Sequence, residues 1–106
     1  MRKKVLGTPE KPRLCVYKSL KQIYAQLVDD RGDRIITGVS SLTPAVKAQI
    51  KPKDSKSVVS KKVGIYLAVK ARELGIVTVV FDRNRYPYHG RVKSLAEGTR
   101  EGGIVF

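Results

Sequence analysis

Apolar and polar positions alternate from Arg13 to Lys18, so that Leu14 and Val16 share one face of an extended segment while Cys15 and Tyr17 share the other. A second alternating run sets Ile23, Ala25 and Leu27 against Tyr24, Gln26 and Val28. The short interval around Ser19-Leu20-Lys21 makes the pair a hairpin. Asp29-Asp30-Arg31-Gly32-Asp33 is rich in turn formers, and Ile35, Ile36, Thr37 and Val39 then mark a third strand over Arg34 to Ser40. The first forty residues therefore read as an antiparallel meander.

The period changes after residue 42. Thr43-Pro44 has the form of an N-cap followed by Pro at the first helical position, but Lys51-Pro52 limits anything begun there to two turns. Val59, Val63, Tyr66, Leu67, Ala71 and Leu74 recur at helical spacing and predict a helix over 56–74, with Gly75 placed to end it. Ile76 to Phe81 is a continuous apolar and β-branched run, as expected of a strand buried on both faces. A right-handed helical crossover would set it parallel to its neighbour, the strand through Leu14 to Tyr17. Val92, Leu95, Ala96 and Thr99 predict a second helix ending near Gly102-Gly103, and Ile104-Val105-Phe106 reads as an apolar tail that docks on the core. The fold class is α/β, a small mixed sheet of a three-strand meander plus one parallel strand, with two main helices.

Length and composition fit one domain. The 106 residues, 42% of them apolar, suffice for a single modest core. Residues 1–12 combine Arg2, Lys3, Lys4 and Lys11 with Gly7, Pro9 and Pro12, a composition expected of a basic flexible arm, which leaves 13–106 as one α/β domain. One Cys and one His exclude an internal disulfide and a structural zinc site, which needs about four N or S ligands. No apolar run approaches the roughly 18 residues of a membrane span, and Met1-Arg2-Lys3-Lys4 leads into no signal core, so an intracellular location is expected.

Charge sharpens the functional reading. Lys and Arg number 22 against 9 Asp and Glu, a net +13. Residues 1–26 carry 7 positive and 1 negative, and residues 51–75 carry 7 and 2, so the excess is concentrated in two blocks. Clustered cations of this kind suit a polyanion, nucleic acid first. The alternatives are a solvated lysine face and an anionic membrane surface; the absence of a long basic amphipathic helix speaks against the membrane.

Two patches combine cations with aromatics. The loop from Asp82 to Arg91 contains Arg83, Arg85, Tyr86, Tyr88, His89, Gly90 and Arg91 and opens a helix. Guanidinium groups pair with phosphate, rings stack on unpaired bases, and N–H groups at a helix start favour an anion. The bland alternative is a tyrosine loop closing the end of the core. Arg13, Tyr17, Lys18, Lys21 and Tyr24 form a second patch around the hairpin, where lysines also serve to keep an edge from aggregating. Lys61-Lys62 is either the wet face of its helix or a phosphate contact, and Gly64 permits close helix packing.

Catalysis finds no support. Asp29, Asp30 and Asp33 lie in a turn that favours Asp for conformational reasons. Asp82 ends a strand where a metal might be held, but the neighbouring strand supplies no second carboxylate. Cys15 has no base beside it, His89 is the single imidazole, and no phosphate-loop or dinucleotide fingerprint occurs. A metal-dependent nuclease built on Asp82 is therefore a distant reading, well behind RNA binding without catalysis.

Pro12-Arg13-Leu14-Cys15-Val16-Tyr17-Lys18-Ser19, Ile23 to Asp30, Val79-Val80-Phe81-Asp82-Arg83, Tyr88 to Ala96 and the ending Arg100-Glu101-Gly102-Gly103 resemble, in order, the bacterial-type large-subunit ribosomal protein eighteen family. The resemblance spans nearly the whole chain. It implies a ribonuclease-H-like topology, no catalysis, no cofactor and no small-molecule substrate. The implied partners are 5S rRNA, 23S rRNA and neighbouring large-subunit proteins in the central protuberance of a bacterial cytoplasmic or an organellar ribosome. By position, the family's RNA contacts fall on Arg2, Lys3 and Lys4, on Arg13, Lys18, Ser19 and Lys21, and on Tyr88, His89, Gly90 and Arg91. Lys11, Tyr17, Tyr24, Arg83, Arg85 and Lys93 join them as candidates from charge, aromatic character and placement. The family's arm is commonly longer, from which weaker 5S binding is expected here. Leu20-Lys21-Gln22 stands where the family commonly has Asn-Lys-His, and Arg85 where it has a small residue. The segment 42–57 matches poorly.

Overall fold

Residues 6–83 and 86–106 are described by the computed structural model. Three strands form the expected meander, β1 (Arg13–Lys18), β2 (Ile23–Asp29) and β3 (Arg34–Ser40), followed by helices α1 (Pro44–Lys47) and α2 (Lys56–Glu73), strand β4 (Val80–Asp82) and helix α3 (Arg91–Glu101). The sheet order is β3-β2-β1-β4. β1 pairs antiparallel with β2, placing Tyr17 opposite Tyr24, and parallel with β4, placing Leu14 beside Phe81. The crossover through α2 therefore yields the parallel strand expected of it. A bulge between Leu27 and Val28 shifts the β2–β3 register.

The alternation decides which face is buried. Leu14, Val16, Ile23, Ala25, Leu27 and Val39 join Val46 of α1, Val63, Leu67 and Ala71 of α2, and Val92 and Leu95 of α3 in one core. On the opposite face Tyr17 is exposed and Tyr24, Gln26 and Val28 are half-buried, so helices cover one side of the sheet. Cys15 lies on the open side yet is buried.

One expectation is corrected. The run from Ile76 to Phe81 is not a strand buried on both faces: β4 is three residues long and forms an edge, with Ile76 and Val79 buried but Val77 55% exposed. The C-terminal tail explains its apolar character. Val105 forms a parallel bridge with Thr78, Ile104 is buried, and the Phe106 ring stacks on Phe81 at 5.5 Å, so the tail caps the edge that the run would otherwise expose. The helix opened by Thr43-Pro44 is a single turn, within the two-turn limit expected from Lys51-Pro52.

α2 begins where Ser55 accepts a hydrogen bond from the Val58 N–H. Its packing on α3 depends on two glycines. A Cβ on Gly64 would lie 2.2 Å from the Leu95 carbonyl oxygen, and one on Gly98 would lie 2.3 Å from that of Lys61. Each helix thus presents bare backbone to the other, as expected of Gly64. The buried hydroxyls nearby satisfy themselves within their own helices, Ser60 donating to the Lys56 carbonyl (2.8 Å) and Thr99 to that of Leu95 (2.9 Å).

Met1 to Val5 lie outside the described residues. Within the span assigned to the arm, the Gly7 N–H donates to Asp30 (2.6 Å), the Asp30 N–H donates back to the Gly7 carbonyl (3.1 Å), and Pro12 is buried. The chain is thus fastened to the sheet from Gly7 onward.

Candidate nucleic-acid interface

Because β1 and β4 run parallel, the hairpin after β1 and the loop after β4 leave the sheet at the same end. Specific side chains lock them together. The Tyr86 hydroxyl accepts from the Lys18 N–H (3.1 Å) and donates to the Lys18 carbonyl (3.3 Å), while the Lys18 ammonium sits 5.1 Å from the Tyr86 ring centroid. Arg91, the first residue of α3, sends Nη1 to the Ser19 carbonyl (2.8 Å) and Nη2 to the Gln22 carbonyl (2.7 Å). From the other flank Lys56 donates to the Leu20 carbonyl (2.7 Å), and Ser41 joins Gln22 and the Ile23 N–H in a short hydrogen-bonded chain. Three of the four residues of the hairpin loop, Ser19, Leu20 and Gln22, are held by groups from elsewhere in the fold. This is a preorganised surface rather than a floppy turn.

The predicted residues separate into two groups. Ser19, Lys21, Arg83, His89 and Lys93 face solvent, as does Lys11, and Lys18 is half-buried beside them. Lys93 lies 4.0 Å from Glu97, an exposed pairing of little energetic weight. Tyr17 and Tyr24 stand side by side as register partners on the open face of the sheet next to the hairpin. Contact with the Cys15 thiol holds the Tyr17 phenol above its usual pKa. Tyr88 sets its ring edge-on to Phe81 (6.0 Å) and accepts from Arg100 (3.3 Å), leaving part of the ring at the surface. Gly90 caps α3 with φ 56°, a conformation costly for a side-chain-bearing residue. Arg2, Lys3, Lys4 and Arg85 lie outside the described residues.

Arg13 and Arg91 are spent inward. Arg13 pairs with Asp30 through Nε (3.0 Å) and Nη2 (3.3 Å) and with Asp82 through Nη1 (2.9 Å). The bond to Asp30, opposed by partial burial and reinforced by Asp82, raises its pKa further above its already high ordinary value. The same network engages the strand-end carboxylate of Asp82 with an arginine. Asp29 accepts from the Arg31 and Gly32 N–H groups in its turn, and no group of three or more metal-ligating side chains occurs among the described residues. Of the lysine pair, Lys61 reaches Glu101 (3.0 Å), and Lys62 donates to the Gln49 carbonyl (2.7 Å) and Asp54 (2.5 Å).

Sequence reasoning missed Tyr86 and Lys56 as fasteners of the hairpin, because nothing in their local pattern reveals a partner 68 or 36 residues away. It also left 42–57 without a role. Asp54 organises the end of that segment, accepting from the Lys51 N–H (2.9 Å) as well as from Lys62. The Lys51 N–H first and Lys62 second hold its carboxyl below the usual carboxylate pKa. Whatever this loop contributes to stability is therefore fully present above about pH 4 and lost as acid carries the solution through the lowered pKa. In an NMR titration, the Lys51 amide should move only below that point; a midpoint at or above the ordinary carboxylate value would contradict the bond.

With the geometry in place, comparison with known proteins decides the family. The model of ribosomal L18 of archaea, bacteria, mitochondria and chloroplast matches residues 1–106, the whole chain. The chain belongs to the ribosomal L18 family. Among its relatives is the large ribosomal subunit protein uL18 of Caldicellulosiruptor saccharolyticus, 51% identical over 100% of this chain and 85% of the relative. The proteins of the same name from Chlorobium luteolum (55% identical, 96% of this chain and 83% of the relative) and Thermotoga petrophila (48%, 100% and 86%) are similar to it to a like degree. Members of the L18 family are structural proteins, not enzymes, which accords with the pairing of Asp82.

Proposed function

We propose that the chain is a structural constituent of the large ribosomal subunit that binds 5S rRNA and helps attach it to 23S rRNA in the central protuberance. The observation that carries this reading is the hairpin clasped by Tyr86, Arg91 and Lys56, which holds Ser19 and Lys21 beside an aromatic and basic loop on a chain of net +13. A rigid display of this kind suits a folded RNA better than an arbitrary polyanion, since ordering costs have been met in advance. Lys11, Lys18, Lys21, Arg83, Arg85 and Lys93 supply phosphate contacts. Tyr17, Tyr24, Tyr88 and His89 offer rings and hydrogen bonds to unpaired nucleotides. Arg2, Lys3 and Lys4 add further phosphate contacts. Arg13, Gly90 and Arg91 shape the surface from beneath. The role is architectural and needs no cofactor, small-molecule substrate or membrane, and it places the chain in the ribosome, in a bacterial cytoplasm. A tagged chain expressed in a bacterium should cosediment stoichiometrically with large subunits and remain with 5S rRNA when they are taken apart. Recovery in the ribosome-free fraction would instead make it a free-standing RNA-binding protein.

A further inference from the structure

We infer that the far flank of the hairpin carries a second nucleotide site, a lysine-rimmed groove that takes one unpaired RNA nucleotide with its base on an apolar floor and its phosphates on the rim. The inference rests on the rRNA reading above and adds to it a surface built from the segment that matched no pattern in the sequence. Between the hairpin and α1 lies a cavity of about 420 Å³. Its floor is Leu42, Ile50, Pro52 and Val59, and its rim carries Lys21, Lys47 and Lys51. A smaller cavity of about 200 Å³ adjoins it at Lys21 and Val59 and brings Lys56 and Arg91 to the same margin.

Three properties select the occupant. Charge comes first: of the five cations on the margin, Lys21, Lys47 and Lys51 are exposed while Lys56 and Arg91 are engaged by hairpin carbonyls, and the one acid, Asp54, already holds Lys62 and the Lys51 N–H. Apolar exposure comes second, since Leu42 is 50% exposed and offers a ring a place to lie. Size comes third: the volume falls in the range of roughly 300–1,000 Å³ typical of small-ligand pockets, enough for a single nucleotide. The walls are fixed. Lys62 ties the Gln49 carbonyl to Asp54, and the Ser41–Gln22 bond holds the hairpin side. A splayed-out base with its flanking phosphates satisfies floor and rim together.

The test compares three forms of the full chain in 5S rRNA titrations across a salt series: wild type, the double variant Lys47→Gln with Lys51→Gln, and Leu42→Asp. Both lysines are exposed, so the double variant should keep the wild-type melting temperature. Losing two phosphate contacts lowers the magnitude of the salt slope by about 1.4 to 1.8, and affinity at moderate salt should fall about tenfold or more. Leu42→Asp should weaken binding as well, at an unchanged melting temperature. As a direct probe, the unstructured oligonucleotide U6 should shift the amides of Ser41, Leu42 and Lys51 in the wild type. If both variants bind with wild-type affinity and slope, the groove is overturned while the rRNA reading stands. If the wild type shows no preference for 5S rRNA over tRNA, the rRNA reading falls and the groove with it.

Discussion

Replacing Gly64 by Ala should destabilise the fold by about 3 kcal/mol, at the upper end of what overpacking costs. The added methyl would meet the Leu95 carbonyl oxygen at 2.2 Å and the Thr99 nitrogen at 2.9 Å. Both are backbone atoms in the middle of α3, so no side chain can swing away. The helices must separate, which opens the layer formed by Val63, Leu67, Val92 and Leu95. Against the 5–15 kcal/mol typical of a domain, that is a large share, and a thermal melt should show it as a drop of roughly 10 °C or more. Gly38→Ala is the matched control. Its methyl would lie 3.6 Å from the Gln26 side chain, an ordinary contact, and the change should stay within about 0.5 kcal/mol. Equal melting temperatures for the two variants would show that the α2–α3 approach is not as close as described.

Arg91→Ala should lower affinity for 5S rRNA about tenfold or more, through the shape of the hairpin rather than through a lost phosphate contact. Both Nη atoms are occupied by the Ser19 and Gln22 carbonyls, and Nε is buried without a hydrogen-bond partner. Charge-assisted bonds of this type contribute about 1.5–3 kcal/mol each, and without them the hairpin loses its link to α3. The salt dependence separates the two roles. A phosphate ligand removed would reduce the slope magnitude by about 0.7 to 0.9; a positioning residue removed leaves the slope nearly unchanged while amide exchange at residues 19–22 accelerates. Arg91→Lys should rescue little, because an ammonium does not reproduce the fork that reaches two carbonyls. Lys56→Ala, which breaks one exposed bond to Leu20, should have the smaller effect. Equal losses for Arg91→Ala and Lys56→Ala would remove the special role given to Arg91.

The parts of the fold visible in the sequence are those governed by short-range periodicity. The strict alternation from Ile23 to Val28 yields β2 with its burial pattern intact, and the spacing of Val63, Leu67 and Ala71 yields α2 to within a residue. Ile76 to Phe81 misled because an apolar run does not reveal what covers it; here a tail from the far end of the chain caps the edge. The candidate site was legible as chemistry but not as geometry. Cations and rings marked two loops that the sheet brings to one end, yet whether an arginine faces solvent or turns inward depends on partners such as Asp30, Asp82, Ser19 and Gln22, brought close only by the sheet. The groove beside Lys47 and Lys51 was not legible, since its lining comes from three separate segments and no local pattern shows that they meet.

The central claim is that a preorganised basic surface recognises 5S rRNA by its shape, and one measurement addresses it directly. Purified protein is titrated with 5S rRNA in the presence of a tRNA competitor of similar charge density, from low to high salt. The account predicts that 5S binding survives salt concentrations that strip the tRNA. Loss of both together, with log affinity falling by roughly 0.7 to 0.9 per neutralised phosphate per decade of salt, would show charge without recognition and contradict it.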